Sequence, residues 1–213
     1  MRLDLDHEEG PDMLMRARGF TLVELLVTIV IMAILLTLAM PSMSGWVRNS
    51  RLRAASDSLQ DGLRTAQAEA LRRSRQVVFS LTDDKPTTAT YTAKNNGKNW
   101  VIKTIPLTGS GETATLIEVG VIAELSSDIQ IAGPANVCFS SIGRMVANSD
   151  PGTNFGECEL PTTTPPVRPF NISYATPSAG IDRPLRVTLA LGGQVRLCDP
   201  AKTLSSSAPD GCP

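Results

Sequence analysis

The sequence predicts an α+β protein, a long amino-terminal helix laid against an antiparallel β-sheet. Three observations predict it. An apolar run extends from Phe20 to Met40; beyond Pro41, Leu52, Ala55, Leu59, Leu63, Ala66 and Ala70 recur at spacings of three and four; after Arg75, apolar residues alternate with polar ones in short segments. Spacings of three and four gather side chains on one helix face, and alternation gathers them on one strand face. Helix signals first and strand signals after give segregated α+β layers rather than alternating α/β units.

Within the run FTLVELLVTIVIMAILLTLAM, Glu24 is the only charge. At about 1.5 Å per residue the run spans the roughly 30 Å hydrocarbon core of a bilayer, so residues 20–41 are predicted to form a transmembrane helix. Arg16 and Arg18 precede it and no Lys or Arg follows until Arg48. The positive-inside rule then sets a single pass through the inner membrane, with the amino terminus in the cytoplasm and the rest of the chain in the periplasm. Two other readings compete. A secretory signal peptide has a cleavage site at Thr37-Leu38-Ala39, but calls for a shorter run without a carboxylate. A plain signal anchor explains length and orientation but not Glu24, since a charge at mid-span costs on the order of 2.5–3.5 kcal/mol and calls for a partner.

Residues 42–75 are predicted to continue as an amphipathic stem, with the stripe from Leu52 to Ala70 covering the sheet. Its other face carries Arg48, Arg51, Arg53, Arg64, Arg72 and Arg73 against Asp57, Asp61 and Glu69. A solvated or phospholipid-facing surface accounts for these charges, and Trp46 suits a membrane-interface anchor. Residues 76–213 are predicted to form a β-rich periplasmic domain. Strands are expected at Val77–Leu81, Trp100–Ile105, Thr115–Val119, Val137–Ser140 and Phe170–Tyr174. Leu185–Leu191 and Gln194–Cys198 flank Gly192-Gly193, a tight two-residue hairpin signal, with Val187, Leu189, Leu191, Val195 and Leu197 on one face. From Asn148 to Arg168, Pro, Thr, Gly and Asn mark a long loop, and the tail after Asp199 is also polar.

Composition narrows the chemistry. The only histidine of the 213 residues is His7, so imidazole-dependent nucleophiles and bases and a His-rich zinc site are not on offer. No Gly-rich phosphate loop or metal motif appears, so neither an enzyme, a cofactor nor a metal is expected. The net charge of −1 gives no bulk attraction to nucleic acid. Four cysteines, Cys138, Cys158, Cys198 and Cys212, contain no C-x-x-C pair. In an exported chain they read as two disulfides, for which three pairings are open; Cys138–Cys158 with Cys198–Cys212 closes the shortest loops.

The segment Arg18-Gly19-Phe20-Thr21-Leu22-Val23-Glu24-Leu25-Leu26-Val27 resembles the class III prepilin processing motif. The resemblance implies a leader at residues 1–19, cleavage by a prepilin peptidase between Gly19 and Phe20, and N-methylation of Phe20. It also gives Glu24 a partner, the terminal amine of a neighbouring pilin, and makes Pro41 a helix-kinking proline that acts in assembly. The leader is longer than usual and acidic at its start, and Met13 and Met15 offer later starts.

The stem Leu52-Arg53-Ala54-Ala55-Ser56-Asp57-Ser58-Leu59-Gln60, then Ala66-Gln67-Ala68-Glu69-Ala70, Phe139-Ser140-Ser141-Ile142-Gly143-Arg144 and Gly193-Gln194-Val195-Arg196-Leu197-Cys198 resemble the GspH/FimT family of type II secretion pseudopilins and type IV minor pilins. Membership implies a filament subunit whose partners are other pilins and inner-membrane lipids. Some FimT proteins bind DNA during natural transformation through a basic carboxy-terminal Gly-Arg-x-Arg motif, and the resemblance implies double-stranded DNA as an alternative partner. Gly193-Gln194-Val195-Arg196 has Gln194 at the first Arg, leaving Arg186, Arg196 and Lys202 as the DNA-contact candidates, with a merely solvated hairpin face as the alternative.

Overall fold

The computed structural model describes residues 19–213, apart from the side chains of residues 38–42. The expected leader, residues 1–19, lies outside the described residues except for Gly19. One helix, α1 (Leu22–Arg73), is followed by ten strands and a short 3₁₀ turn at Ile122–Glu124. The chain divides into two compact units at Met43 and Ser44.

In the first unit α1 is apolar on every side. Leu22, Val23, Leu25, Leu26, Val27, Ile29, Val30, Ile31, Met32, Ile34, Leu35 and Leu36 are all exposed. Among the described residues no helix is long and apolar enough to cross a membrane; within the run from Phe20 to Met40 the described side chains stop at Thr37. Backbone helix continues through Pro41, while its side chain, and with it the kink expected there, lies outside the description.

In the second unit α1 ends two residues before the expected Arg75. Ser74 takes the left-handed conformation at φ 51°, and the Arg75 amide donates back to the Ala70 carbonyl at 3.1 Å. This is a Schellman-type stop, with Ser in the position glycine usually takes.

The strands form two five-stranded sheets where the sequence suggested one. The first has the order β3-β2-β1-β5-β6 and the second β10-β9-β8-β7-β4. Their bounds are β1 Val77–Thr82, β2 Asn99–Thr104, β3 Leu116–Gly120, β4 Ile129–Ala132, β5 Asn136–Phe139, β6 Met145–Val146, β7 Val167–Tyr174, β8 Leu185–Ala190, β9 Val195–Thr203 and β10 Gly211–Cys212. All pairings are antiparallel except β9 with β10.

One core joins the helix to both sheets. Leu52, Ala55, Leu59, Leu63, Ala66 and Ala70 are fully buried against Phe79, Leu81, Ile102 and Phe139 of the first sheet and Ile131, Phe170, Ile172, Val187 and Leu189 of the second. Phe79 is the bridge, stacked on Trp100 at 5.8 Å and edge-on to Phe170 at 6.2 Å. Trp100 lies so close to the helix that a Cβ at Gly62 would fall 2.9 Å from its ring. Core side chains this size each withdraw enough apolar surface to contribute roughly 1.5–3 kcal/mol.

The hairpin between β8 and β9 is longer than two residues. The Gly193 amide donates to the Ala190 carbonyl at 2.8 Å, and Ala190 to Gln194 at 3.0 Å. Gly193 alone of the glycine pair has a positive φ, 88°. A two-residue type I′ turn needs two such residues, so one favours the three-residue loop with a bulge. A Cβ at Gly193 would also meet Gln67 Nε2 at 2.1 Å and the Gly143 carbonyl at 2.2 Å, so the turn is fixed beneath the helix.

Candidate functional site

The amino-terminal motif is positioned by the start of α1. Gly19 and Phe20 precede the helix, and Phe20 is 78% exposed. Thr21 caps the helix, its Oγ1 accepting from the Glu24 amide at 3.2 Å. Thr21-Leu22-Val23-Glu24 is therefore the S/T-x-x-E pattern of a capping box, a signal present in the sequence but passed over there. It places the Glu24 carboxylate in the first turn, where the helix dipole favours negative charge. Glu24 is exposed, so the same group is free to meet a cation outside the chain.

The DNA-contact candidates lie on or beside the second sheet. Val187 and Leu189 point into the core, so Arg186 and Thr188 point away from it. Arg196 is paired with Thr188, and hence shares the outer face with Arg186. Each candidate cation is engaged within the chain. Arg186 Nε donates to Asn171 Oδ1 at 2.6 Å. Arg196 Nη2 donates to the Pro209 and Gly211 carbonyls of the tail. Lys202 is bonded to Asp210 and lies 3.7 Å from Asp199; the Asp210 bond raises its pKa and holds the Asp210 carboxyl below the usual range. Lys202 thus offers little positive field to a phosphate.

Disulfides join Cys138 to Cys158 and Cys198 to Cys212. The second, with the β9–β10 pairing and the Arg196 bonds, folds the tail back on the last long strand. The first pins the segment around residue 158 over the outer face of the first sheet. That face is buried rather than solvated: Val78, Ser80, Thr82, Val101, Lys103 and Asn136 are all covered. The Tyr91 hydroxyl donates to Ser80 Oγ at 2.9 Å, Ser80 to Asn136 Oδ1 at 2.7 Å, and Asn136 Nδ2 to the Phe155 carbonyl at 2.7 Å. Lys103 Nζ donates to the Gly152 and Ala89 carbonyls and sits 5.0 Å from the Tyr91 ring centroid. Burial lowers the Lys103 pKa and raises that of Tyr91.

A cleft of about 670 Å³ opens beside this layer, lined by Asn136, Asp150, Phe155, Glu157 and Arg168 among others. Arg168 Nη2 donates to the Glu159 carbonyl at 2.6 Å, while its buried Nε has no partner. Asp150, Glu157 and Glu159 share the lining with Arg168. Among the described residues no group of three or more His, Cys, Asp or Glu is arranged to hold a metal ion.

Comparison with known proteins gives three findings. The family model described as the prokaryotic N-terminal methylation motif matches residues 14–40. No curated protein matches the chain. Among solved structures, the type IV minor pilin FimU of Pseudomonas aeruginosa is 18% identical at a TM-score of 0.46, covering 78% of this chain and 98% of its own. The minor pseudopilin EpsH from the type 2 secretion system of Vibrio cholerae is 12% identical at a TM-score of 0.44, covering 71% and 99%.

Proposed function

We propose that this chain, which carries the N-terminal methylation motif, is a minor pilin or pseudopilin: a membrane-anchored structural subunit that joins a type IV pilus or type II secretion pseudopilus. The observation that carries the reading is the first half of α1. Its apolar side chains are exposed on every side, and its single carboxylate stands in the first turn. A helix apolar all round requires an apolar surrounding. A bilayer supplies one before assembly, and a filament core of equivalent helices supplies one after it, so the surface stays out of water throughout. Glu24 sets register by meeting the amine of a neighbour, because an unpaired charge is penalised in either place. The anchor crosses the inner membrane once, and the disulfide-bonded unit faces the periplasm.

The test is processing. Coexpression with a prepilin peptidase is expected to yield a mature chain beginning at methylated Phe20, read by mass spectrometry of the amino-terminal peptide. Recovery of the unprocessed chain, or cleavage after Ala39, would sink the reading.

A second reading, a pilus-borne receptor for double-stranded DNA, is supported by Arg186 and Arg196 sharing one sheet face. The internal bonding of both, and the two carboxylates around Lys202, favour the purely structural subunit.

A further inference from the structure

The loop between β7 and β8 is fastened to α1 at the very start of the second unit. Ile181 packs over Gly45, where an added Cβ would fall 2.9 Å from its Cγ2. Asn49 Nδ2 donates to the Ile181 carbonyl and the Arg183 amide donates to Asn49 Oδ1, both at 2.8 Å. Arg48 grips Asp182 at two points, and the Ser178 amide donates to Asp182 Oδ2 at 2.6 Å. These contacts hold the loop as a collar against residues 45–49.

What the collar leaves outward is particular. Trp46, next in sequence to the Gly45 that Ile181 covers, is 70% exposed and Ile181 45%; Pro177, Ala179 and Gly180 of the same loop as Ile181 are exposed. The loop's one acid, Asp182, is buried and neutralised by Arg48, while Arg183 is exposed. Asp128, whose carbonyl accepts from the Ala175 amide, is the nearby acid on β4's side. In sequence, Gly45 and Trp46 follow Met40, the last residue of the apolar run, by five and six residues. Five residues reach at most about 18 Å however the chain runs, so connectivity alone keeps this segment near the headgroup region that borders the hydrocarbon core.

Resting on the anchor reading above, we propose that Trp46 and the loop tip Pro177–Ile181 form a membrane-seating surface, which docks the folded unit on the phospholipid headgroups of the periplasmic leaflet before assembly. Tryptophan favours that depth because its ring is apolar and its N–H is polar. One indole, one isoleucine and small residues make a shallow insert, with Arg183 placed for lipid phosphate. A protein neighbour would call for a broader apolar face, since stable interfaces bury on the order of 800 Å² per partner.

The test uses the full chain in vesicles of phosphatidylethanolamine and phosphatidylglycerol carrying brominated acyl chains. Trp100, 3% exposed in the core, is the internal reference for folding and for unquenched emission. Ile181→Trp is made in a Trp46→Phe chain and read by difference from Trp46→Phe alone. Blue-shifted emission and loss of intensity, both for native Trp46 and for the introduced indole, are expected. Quenching of Trp46 with water-like, unquenched emission from position 181 overturns the inference and leaves the anchor standing. A chain that does not float with the vesicles overturns the anchor reading and the inference with it. Emission from position 181 that shifts only as protein density in the vesicle rises, without lipid quenching, assigns the surface to a neighbouring subunit and overturns the lipid partner.

Discussion

Arg48 and Asp182, 134 residues apart in sequence, meet in a two-point ion pair, Nε to Oδ1 at 2.7 Å and Nη2 to Oδ2 at 2.6 Å. The same guanidinium lies 3.9 Å from the centroid of the Tyr174 ring, whose hydroxyl donates to the Arg48 carbonyl at 3.0 Å. The pair thus ties the start of α1 in the second unit to the end of β7 and the loop that follows it, and a planar, two-point geometry of this kind is specific to arginine.

The Arg48 bond holds the Asp182 carboxyl below its usual range. A depressed folded value means that the stabilisation is present above the unfolded aspartate pKa of about 3.9 and is lost as pH falls through the folded value. Asp182→Asn is therefore expected to lower Tm at neutral pH. The gap between variant and parent should narrow below about pH 4, measured by thermal melts across an acid series. Glu69, held at about 2 by Arg72 and Arg73, titrates equally in both chains and cancels in the difference. A gap that does not change with pH would remove the ion pair as its cause.

Lys103 is the strut of the covered face, with its amine among the Gly152 and Ala89 carbonyls. Lys103→Met keeps the stem volume and removes the donor, leaving buried carbonyls without a partner. Hydrogen bonds from charged groups contribute roughly 1.5–3 kcal/mol, so urea denaturation should report a loss of about that size. Lys98→Met, at an exposed site, should change stability little. Equal effects from the two variants would deny Lys103 this role.

Which of these features the sequence discloses depends on whether one residue's surroundings are local. The stripe Leu52, Ala55, Leu59, Leu63, Ala66 and Ala70 is legible because helical spacing alone sets its face, and all six are fully buried. The β8 and β9 faces are legible for the same reason. β4 carries the alternating pattern too, with Ile129 and Ile131 buried between Gln130 and Ala132, but at four residues it was too short to stand out. Lys103 reads as a surface residue because only the distant segments at 89–91 and 152 bury it. The division into two sheets follows from β4 pairing with β7, distant in sequence, in register Ile129 to Tyr174; periodicity holds no information on which strands pair. At the amino terminus, Thr21 and Glu24 belong at once to a capping pattern and to the N-terminal methylation motif, so one stretch of sequence carries two signals.

The Cys198–Cys212 bond closes a short loop, 14 residues apart. Peptide mapping without reductant is expected to recover Cys138 linked to Cys158 and Cys198 linked to Cys212; a peptide linking Cys138 to Cys198 would contradict it. Replacing Cys198 and Cys212 together by Ala should destabilise the chain by about 3 kcal/mol on a loop-entropy estimate, with the tail beyond Thr203 becoming the first site of proteolysis.

Double-stranded DNA is not expected to be retarded by this chain at physiological salt, since Arg186, Arg196 and Lys202 all have internal partners. An electrophoretic shift across a salt series checks this. A shift that fades steeply with salt and weakens in Arg196→Ala would establish the receptor reading, because each phosphate contact adds to the salt slope. Lys202→Ala, between two carboxylates, should leave any such shift unchanged.

Glu24 stands where two effects are to be separated, the dipole of its own helix start and the proposed pairing with a neighbour's amine. Glu24→Ala removes the whole polar group, while Glu24→Gln keeps its size and hydrogen-bonding capacity and removes the charge. Both variants are expected to insert in the membrane and to be cut after Gly19, and both should be depleted from sheared filaments relative to the parent. If Gln supports incorporation and Ala does not, hydrogen bonding by the side chain explains the position and the intersubunit charge pairing is wrong. If both incorporate normally, Glu24 has no part in assembly, and the exposed apolar helix alone drives transfer from bilayer to filament.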